Sequence, residues 1–354
     1  MPIRVLVIDD SALIRQLLTE LLSADRGIEV VGTAQDPIVA RDKIKALNPD
    51  VLTLDIEMPR MDGLTFLDKL MTLHPMPVVV VSTLTQKGAA AALRALELGA
   101  VDYVAKPLID IRQGVIALGA ELVAKVKAAA GARVRARSER TQAGTPLVFE
   151  HRLSSEGWVV AIGASTGGVE ALQELLTGLP ASAPAILVTQ HMPAGFTASF
   201  AQRLDTRCAM SVVEATDGAR VMAGHIYIAK GNLHLELIRY GAQYRCRLSD
   251  GPAVSGHRPS VDVLFRSVAA AAGRNATGVI LTGMGRDGAE GLLEMRRAGA
   301  RTIGQDETSC LIYGMPKVAR ELGAVEAELP LKRISQAFLA HAAEGSASDR
   351  PADR

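Results

Sequence analysis

Residues 3–11 read IRVLVIDDS, a mostly apolar run that ends in two aspartates and a serine. A run of this length without polar alternation is typical of a strand that is buried on both faces of a parallel sheet. Serine is a favoured helix N-cap, and the residues after Ser11 are apolar at helical spacing. The stretch therefore predicts a buried strand, a turn that carries carboxylates and a helix, which together form the repeating unit of an α/β sheet.

The same unit recurs along the first third of the chain. We predict strands at Ile3–Ile8, Glu29–Thr33, Val51–Leu54, Val78–Val81 and Asp102–Val104. We predict helices at Ser11–Ser23, Ile38–Leu47, Leu64–Leu73, Ala89–Leu98 and Ile111–Ala128. Strand–helix repeats with such short connections predict a five-stranded, doubly wound parallel sheet.

A second α/β pattern begins near Leu153. The predicted strands are Trp158–Ile162, Ala185–Gln190, Ser211–Glu214, His225–Ala229, Val279–Thr282 and Arg301–Gln305, and Leu233–Ile238 and Tyr244–Leu248 flank Gly241 as a β-hairpin. The predicted helices are Val169–Thr177, Phe196–Arg203, Val261–Ala272, Ala289–Arg297 and Pro316–Leu322. The fold class is therefore α/β, with a five-stranded parallel domain followed by a larger, mostly parallel domain that carries an antiparallel hairpin.

The stretch between the two patterns is charged and lacks periodicity. Residues 133–140 contain four arginines, which suit either an anionic docking site or a solvated linker, and the second reading is favoured. We place the first domain at 1–128, the linker at 129–152 and the second domain at 153–343. The composition of residues 344–354 predicts a disordered tail.

Composition restricts the classes of protein and partner. The chain has 354 residues and a formal charge of only +1, which gives no general attraction to nucleic acid or membranes. The three cysteines are widely spaced, and they predict reduced thiols in a reducing compartment. The chain opens directly on a predicted strand, and no apolar run approaches a membrane span. We therefore expect a cytoplasmic protein without membrane insertion.

Charged and polar side chains gather at the predicted strand ends of the first domain. Asp9, Asp10 and Asp55 end strands that meet at one edge of the sheet, where their mutual repulsion calls for a cation, and Mg²⁺ prefers such oxygen ligands. Asp55 is then a candidate nucleophile toward a phosphodonor. Ser82 and Lys106 end the next two strands, where they can contact phosphoryl oxygens. The isomer of the Lys106–Pro107 peptide bond stays open.

These residues resemble the receiver domain of two-component response regulators. The resemblance rests on VIDDS at 7–11, LDIEMPRMDG at 54–63 and AKP at 105–107. It implies that Asp55 accepts phosphate from a histidine kinase, and that Asp9, Asp10, Asp55 and the Glu57 carbonyl hold Mg²⁺. It also implies switch roles for Ser82, Tyr103 and Lys106, although Tyr103 also fits a plain half-buried aromatic residue.

Residues 163–167 read GASTG, between a predicted strand and a predicted helix. The pattern fits a nucleophile elbow, in which a sharp turn exposes the hydroxyl of Ser165. It fits a phosphate- or dinucleotide-binding loop almost equally well, although the spacing of a dinucleotide fingerprint is missing. The glycines alone do not separate these two interpretations.

A nucleophilic serine needs a base and an orienting carboxylate. Among seven histidines, His191 ends the strand that follows the Ser165 unit, and His257 is its main rival. Asp287 follows a later strand, where it could also cap a helix. The neighbouring turn offers backbone N–H groups around Met284 and Gly285 for an oxyanion hole, and Thr166 is a further support residue.

The second half resembles the chemotaxis methylesterase family. The resemblance rests on AIGASTGG at 161–168, QHMP at 190–193, HRPSVD at 257–262 and LTGMGRDG at 281–288. It implies a serine hydrolase that demethylates glutamate γ-methyl esters on methyl-accepting chemoreceptors and deamidates receptor glutamines. With the receiver domain, it also implies a chemotaxis histidine kinase as the phosphodonor. Ser165, His191 and Asp287 would form its catalytic triad, and ester hydrolysis would need no cofactor.

Two rival functions belong to other classes. A receiver domain joined to a DNA-binding output would need a basic helix-turn-helix. The second half has a mixed α/β pattern and the chain as a whole is nearly neutral, so neither favours this function. A dinucleotide-binding module would use the glycine-rich loop at 163–168. Nucleotide titration beside labelling with a serine-directed covalent probe separates that module from a serine hydrolase.

Overall fold

A computed structural model of the chain describes residues 1–58, 62–83, 85–106, 112–134 and 157–348. The chain divides into two compact units between Gln142 and Ala143. That position lies inside the predicted linker, of which residues 135–152 are outside the described part. The predicted domain limits therefore stay predictions, and so does the isomer of the Lys106–Pro107 bond, because Pro107 is also outside.

The first unit is a five-stranded parallel sheet in the order β2-β1-β3-β4-β5. Its strands are β1 Ile3–Ile8, β2 Ile28–Ala34, β3 Val51–Asp55, β4 Val78–Ser82 and β5 Asp102–Ala105. Its helices are α1 Ala12–Ser23, α2 Pro37–Leu47, α3 Gly63–Leu73, α4 Gln86–Leu98 and α5 Arg112–Ala130. Ser11 caps α1 by accepting the Ile14 N–H. The doubly wound prediction is confirmed.

The second unit has a seven-stranded sheet in the order β14-β13-β12-β6-β7-β9-β8, and a separate antiparallel pair β10-β11. The strands are β6 Val159–Ala164, β7 Ala185–Gln190, β8 Ser211–Glu214, β9 His225–Ile228, β10 His234–Tyr240, β11 Gln243–Ser249, β12 Ala276–Ile280, β13 Arg301–Gln305 and β14 Ala327–Leu329. The helices are α6 Gly168–Thr177, α7 Phe196–Asp205, α8 Val261–Ala272, α9 Ala289–Arg297, α10 Met315–Glu321 and α11 Leu331–Ser348. The predicted hairpin is confirmed.

Apolar strands form the cores of both units. Every residue of β3, β4, β6, β7 and β12 is buried, as expected for central strands covered on both faces. Aromatic residues are few, and Phe196, Phe265 and Phe338 are the largest fully buried side chains of the second unit. Within the described residues, none of the helices has the length and hydrophobicity of a membrane span.

Several boundaries differ from the sequence prediction, and helix α11 and strand β14 were not predicted. Helix α11 continues through 344–348, the start of the predicted tail, because Gly345 packs directly on the Trp158 ring and Glu344 pairs with Arg301. The rest of that tail is outside the described residues. Helix α5 runs to Ala130, just past the predicted limit at 128. Strand β12 begins at Ala276, three residues before the predicted start at Val279. Residues 276–278 extend the strand because they pair with β6 and, from Thr277, also with β13.

Candidate active sites

Three neighbouring strands bring the predicted triad together. Ser165 follows β6, His191 follows β7 and Asp287 lies beyond the end of β12, and these strands are adjacent and parallel in the order β12-β6-β7. The chain leaves β6 toward β7 on one side and returns to β12 on the other. Ser165 therefore stands where the strand order reverses, which is the usual position of a ligand crevice in an open α/β sheet.

The turn that carries Ser165 depends on glycines. Gly167 has a φ of +78°, a left-handed conformation that favours glycine, and α6 begins at the next residue. Gly283 packs so closely on the turn that an added Cβ would lie 2.7 Å from the Ser165 Cβ. The Ser165 N–H donates to the Thr282 carbonyl at 3.0 Å. The β12 edge thereby fixes the serine backbone and leaves its hydroxyl free to face His191.

His191 connects the serine to the carboxylate. Its Nδ1 lies 3.0 Å from the Ser165 Oγ, and its Nε2 lies 2.8 Å from an Asp287 oxygen. An ionised carboxylate only accepts hydrogen bonds, so Nε2 carries the proton and Nδ1 keeps the lone pair that the serine hydroxyl needs. The ring is turned relative to the usual serine-protease arrangement, in which the serine faces Nε2.

Asp287 is almost completely buried, with 1% of its surface exposed. It also accepts hydrogen bonds from the Ser260 hydroxyl at 2.7 Å and the Val261 N–H at 2.7 Å. Burial acts to raise the pKa of Asp287, but these donors and His191 outweigh it, so the pKa lies below its ordinary value. The helix it was predicted to cap, α9, has Gly288 as its N-cap, and Asp287 binds the first turn of α8 instead.

His257, the rival base, lies beside the site. Its ring stacks on the His191 ring, with centroids 3.7 Å apart and planes 9° from parallel. The contact with the Ser165 hydroxyl belongs to His191. The structure therefore brings both candidate histidines together but places only His191 between the serine and the carboxylate.

The predicted oxyanion donors lie on the turn after β12. Within the described part of the chain, the N–H groups of Met284 and Gly285 donate to no protein acceptor. The N–H groups of Ser165 and Gly283 donate to the Thr282 and Ile312 carbonyls. This leaves the Met284 and Gly285 donors available to a ligand. Thr166 is buried, and its carbonyl accepts the Thr282 hydroxyl at 3.0 Å.

Sequence reasoning missed two supporting residues. The Gln190 side-chain amide donates to the Ser165 carbonyl at 2.9 Å and to the His191 carbonyl at 3.2 Å, so it ties the two turns together. Ser260 binds Asp287 from the N-terminus of α8. Both residues lie inside motifs quoted above, QHMP and HRPSVD. Buried polar side chains are nearly always hydrogen-bonded, so a polar residue in such a motif could have been predicted to support the catalytic residues.

The acidic cluster of the first unit also assembles as predicted. Carboxylate oxygens of Asp9, Asp10 and Asp55 all lie within 4.8 Å of one another. Asp9 and Asp55 are fully buried, and Lys106 Nζ lies 3.0 and 2.7 Å from their oxygens. Burial and the Asp55 charge raise the pKa of Asp9. Such a set of oxygen donors fits Mg²⁺, with Lys106 neutralising part of the charge.

Of the predicted switch residues, Lys106 contacts this cluster, Ser82 ends the neighbouring strand β4, and Tyr103 lies in β5. The Ser82 hydroxyl donates to the Gly88 carbonyl in the first turn of α4, at 3.1 Å. The Tyr103 ring is buried, and burial raises the pKa of its hydroxyl well above the ordinary value. The Glu57 N–H donates to Asp55 at 3.1 Å, which places Glu57 beside the cluster.

Comparison with known proteins supports the family resemblance of both halves of the chain. Residues 5–117 match the response regulator receiver domain, and residues 160–338 match the CheB methylesterase family. The chain is 57% identical to the protein-glutamate methylesterase/protein-glutamine glutaminase of Salmonella typhimurium over 345 residues, covering 98% of each chain. It is 58% identical to protein-glutamate methylesterase/protein-glutamine glutaminase 1 of Geobacter metallireducens over 338 residues, covering 93% of each.

A solved structure supports the fold of the second unit. The CheB methylesterase catalytic domain of Thermotoga maritima is 37% identical, with a TM-score of 0.51, and the match covers 52% of this chain and 98% of that one. The sequence resemblance to both families is confirmed. The chain thus belongs to the protein-glutamate methylesterase/protein-glutamine glutaminase family, in which a receiver domain precedes a CheB methylesterase domain.

Proposed function

We propose that this protein is a phosphorylation-regulated serine hydrolase that demethylates glutamate γ-methyl esters on chemoreceptors and deamidates receptor glutamines. The observation that carries the proposal is the hydrogen-bonded chain from the Ser165 hydroxyl through His191 to Asp287, inside a domain of the methylesterase family. The hydroxyl-to-base contact favours the nucleophile elbow over the dinucleotide loop, since a phosphate cradle needs no base at that position.

Acylation begins with attack of the Ser165 Oγ on the ester carbonyl, while its proton moves to the His191 Nδ1. The carbonyl oxygen becomes an oxyanion, which the N–H groups of Met284 and Gly285 would stabilise. The C–O bond to methoxide then breaks, and His191 returns the proton so that methanol leaves. Asp287, kept ionised by its donors, stabilises the positive imidazole that exists between these two transfers.

Deacylation repeats the same steps with water. His191 takes a proton from water, the resulting hydroxide attacks the acyl-enzyme, and the proton passes to the Ser165 oxygen as it leaves. The product is a free glutamate side chain. A receptor glutamine would follow the same path with ammonia as the first leaving group, because the protonated His191 that donates to the methoxide oxygen can equally donate to the departing nitrogen.

Regulation would act through the acidic cluster. Mg²⁺ held by Asp9, Asp10, Asp55 and the Glu57 carbonyl would supply charge neutralisation for phosphoryl transfer from a histidine kinase. Asp55 would become the acyl phosphate, and Lys106 already lies close enough to pair with it. The Ser82 hydroxyl would turn from the Gly88 carbonyl toward the phosphoryl oxygens, and Tyr103 would follow. A cytoplasmic location remains part of this proposal.

The direct test measures methanol released from methylated receptor and ammonia released from unmodified receptor by the full-length protein. We expect both products, with the methanol matched by new receptor glutamates. Labelling by a serine-directed fluorophosphonate should map to Ser165. Nucleotide binding without release of either product would favour the dinucleotide-binding alternative.

His257→Ala is expected to lower kcat for methanol release by roughly two- to tenfold. The His191 ring loses the aromatic face that packs on it at 3.7 Å, and such a pair is worth about 0.5–1.5 kcal/mol. His257→Phe keeps a stacking ring and should retain most of the rate. Equal losses in both variants would contradict this explanation and implicate the His257 nitrogens instead.

A further inference from the structure

The triad carboxylate is held by three consecutive residues that open helix α8. The Ser260 hydroxyl donates to Asp287 Oδ1 at 2.7 Å, the Val261 N–H donates to Oδ2 at 2.7 Å, and the Asp262 N–H donates to Oδ1 at 3.2 Å. With His191 on Oδ2, each carboxylate oxygen accepts two hydrogen bonds. All the acceptor sites of the carboxylate are therefore filled.

We propose that Ser260 is a positioning residue of the esterase site. In this inference, which rests on the proposed function, its hydroxyl fixes the Asp287 carboxylate and thereby the orientation of the His191 ring. Val261 and Asp262 contribute backbone donors that almost any sequence would supply. The Ser260 hydroxyl is the one side-chain donor of the three, so it is the part of this arrangement that the sequence selects.

Ser260 is itself held from behind by a second buried histidine. The Ser260 N–H donates to His234 Nδ1 at 3.2 Å, and His234 Nε2 lies 3.0 Å from the Pro252 carbonyl. A ring nitrogen that accepts an N–H carries no proton, so Nε2 must donate to Pro252. His234 is only 2% exposed and takes no part in the proposed reaction. His234 thus holds the backbone of Ser260, and the Ser260 hydroxyl in turn holds Asp287.

Few other groups can influence this carboxylate. Within the described residues, the titratable side chains that interact with it are His191 after β7 and Asp262 in α8, and the His257 ring stacks on His191 at 3.7 Å. Asp262 directs its own Oδ1 to the Gly291 N–H at 2.7 Å and so satisfies a different donor. Ser260 is fully buried, which keeps it away from substrate. An effect of Ser260 on turnover must therefore pass through Asp287.

Removal of the hydroxyl has two consequences. The carboxylate loses a short donor that helps to lower the pKa of Asp287, so its charge is less stabilised and it draws the proton shared with His191 more strongly. It also loses an orienting contact, so His191 aligns less well with Ser165. We expect Ser260→Ala to lower kcat at neutral pH by about threefold to tenfold, with little change in KM. The acidic limb of the pH–rate profile should move to higher pH.

The experiment compares full-length wild type with Ser260→Ala, Ser260→Gly and Ser260→Thr. Ser260→Gly deletes the same hydroxyl with a residue that is tolerated at an N-cap, and it provides a second deletion if the alanine variant does not fold. Ser260→Thr keeps the hydroxyl and should restore the wild-type profile. Two readouts are used: methanol release from methylated receptor and the rate of fluorophosphonate labelling of Ser165, each measured across pH.

The same deletions are repeated in an Asp287→Asn background, with fluorophosphonate labelling followed over long enough times to measure a slow rate. If Ser260 acts through the carboxylate, its removal should have no further effect on the pH profile there. An unchanged acidic limb in the single deletions, or an equal loss in both backgrounds, would overturn the inference. Failure of wild-type protein to label at Ser165 would instead overturn the proposed function.

Discussion

Ser165→Ala is expected to lower methanol release from methylated receptor by at least roughly four orders of magnitude. The Ser165 Oγ is the only atom of that side chain able to attack the ester, and it lies 3.0 Å from the base that would take its proton. A methyl group in its place cannot form the acyl-enzyme. The measurement is single-turnover methanol release, which detects residual activity that steady-state assays miss.

Matched variants separate the chemistry from the fold. Ser199→Ala removes a serine hydroxyl of α7 that donates to the carbonyl of Gly195, the N-cap of that helix, and it should keep wild-type turnover. His191→Ala and Asp287→Ala should each cause a large loss. Because the three residues act as a unit, the triple variant should be little worse than Ser165→Ala. Near-normal turnover of folded Ser165→Ala protein would rule out the serine mechanism.

Much of the two clusters could be predicted because most of their residues end a strand or directly follow one. In a parallel sheet, the carboxyl ends of the strands share one edge, so strand positions alone brought Asp9, Asp55 and Lys106 together. The same reasoning placed Ser165 and His191 at one edge. Burial on both faces made these strands nearly continuous apolar runs, which are the easiest strands to find in a sequence.

The remaining features depend on contacts between distant segments. Ser260 lies 27 residues from Asp287, and Gln190 lies 25 from Ser165, so no local pattern announces either hydrogen bond. The turned ring of His191 depends on where the end of β12 directs Asp287. Strand β14 is only three residues long, which is too short to show a periodic pattern.

Asp55→Asn is expected to reduce acid-labile phosphate incorporation from a histidine-kinase donor in Mg²⁺ by at least roughly a hundredfold. Asp55 is fully buried at the end of β3, and its Oδ2 lies 2.7 Å from Lys106 Nζ. An amide has nearly the same shape, so packing is preserved. The amide lacks the ionised oxygen that attacks phosphorus, so the side chain cannot form an acyl phosphate.

Asp36→Asn is the matched control for this substitution. Asp36 follows β2, caps α2 by accepting the Ile38 and Val39 N–H groups at 2.9 Å, and lies outside the acidic cluster. Asparagine is an equally good N-cap, so this variant should be labelled like wild type.

A small phosphodonor with Mg²⁺ should raise methanol release by wild type and Asp36→Asn, while Asp55→Asn should stay at its basal rate. Undiminished labelling of Asp55→Asn would move the phosphate to Asp9, Asp10 or a hydroxyl. Full labelling of wild type without any rise in methanol release would mean that phosphorylation does not control the esterase directly.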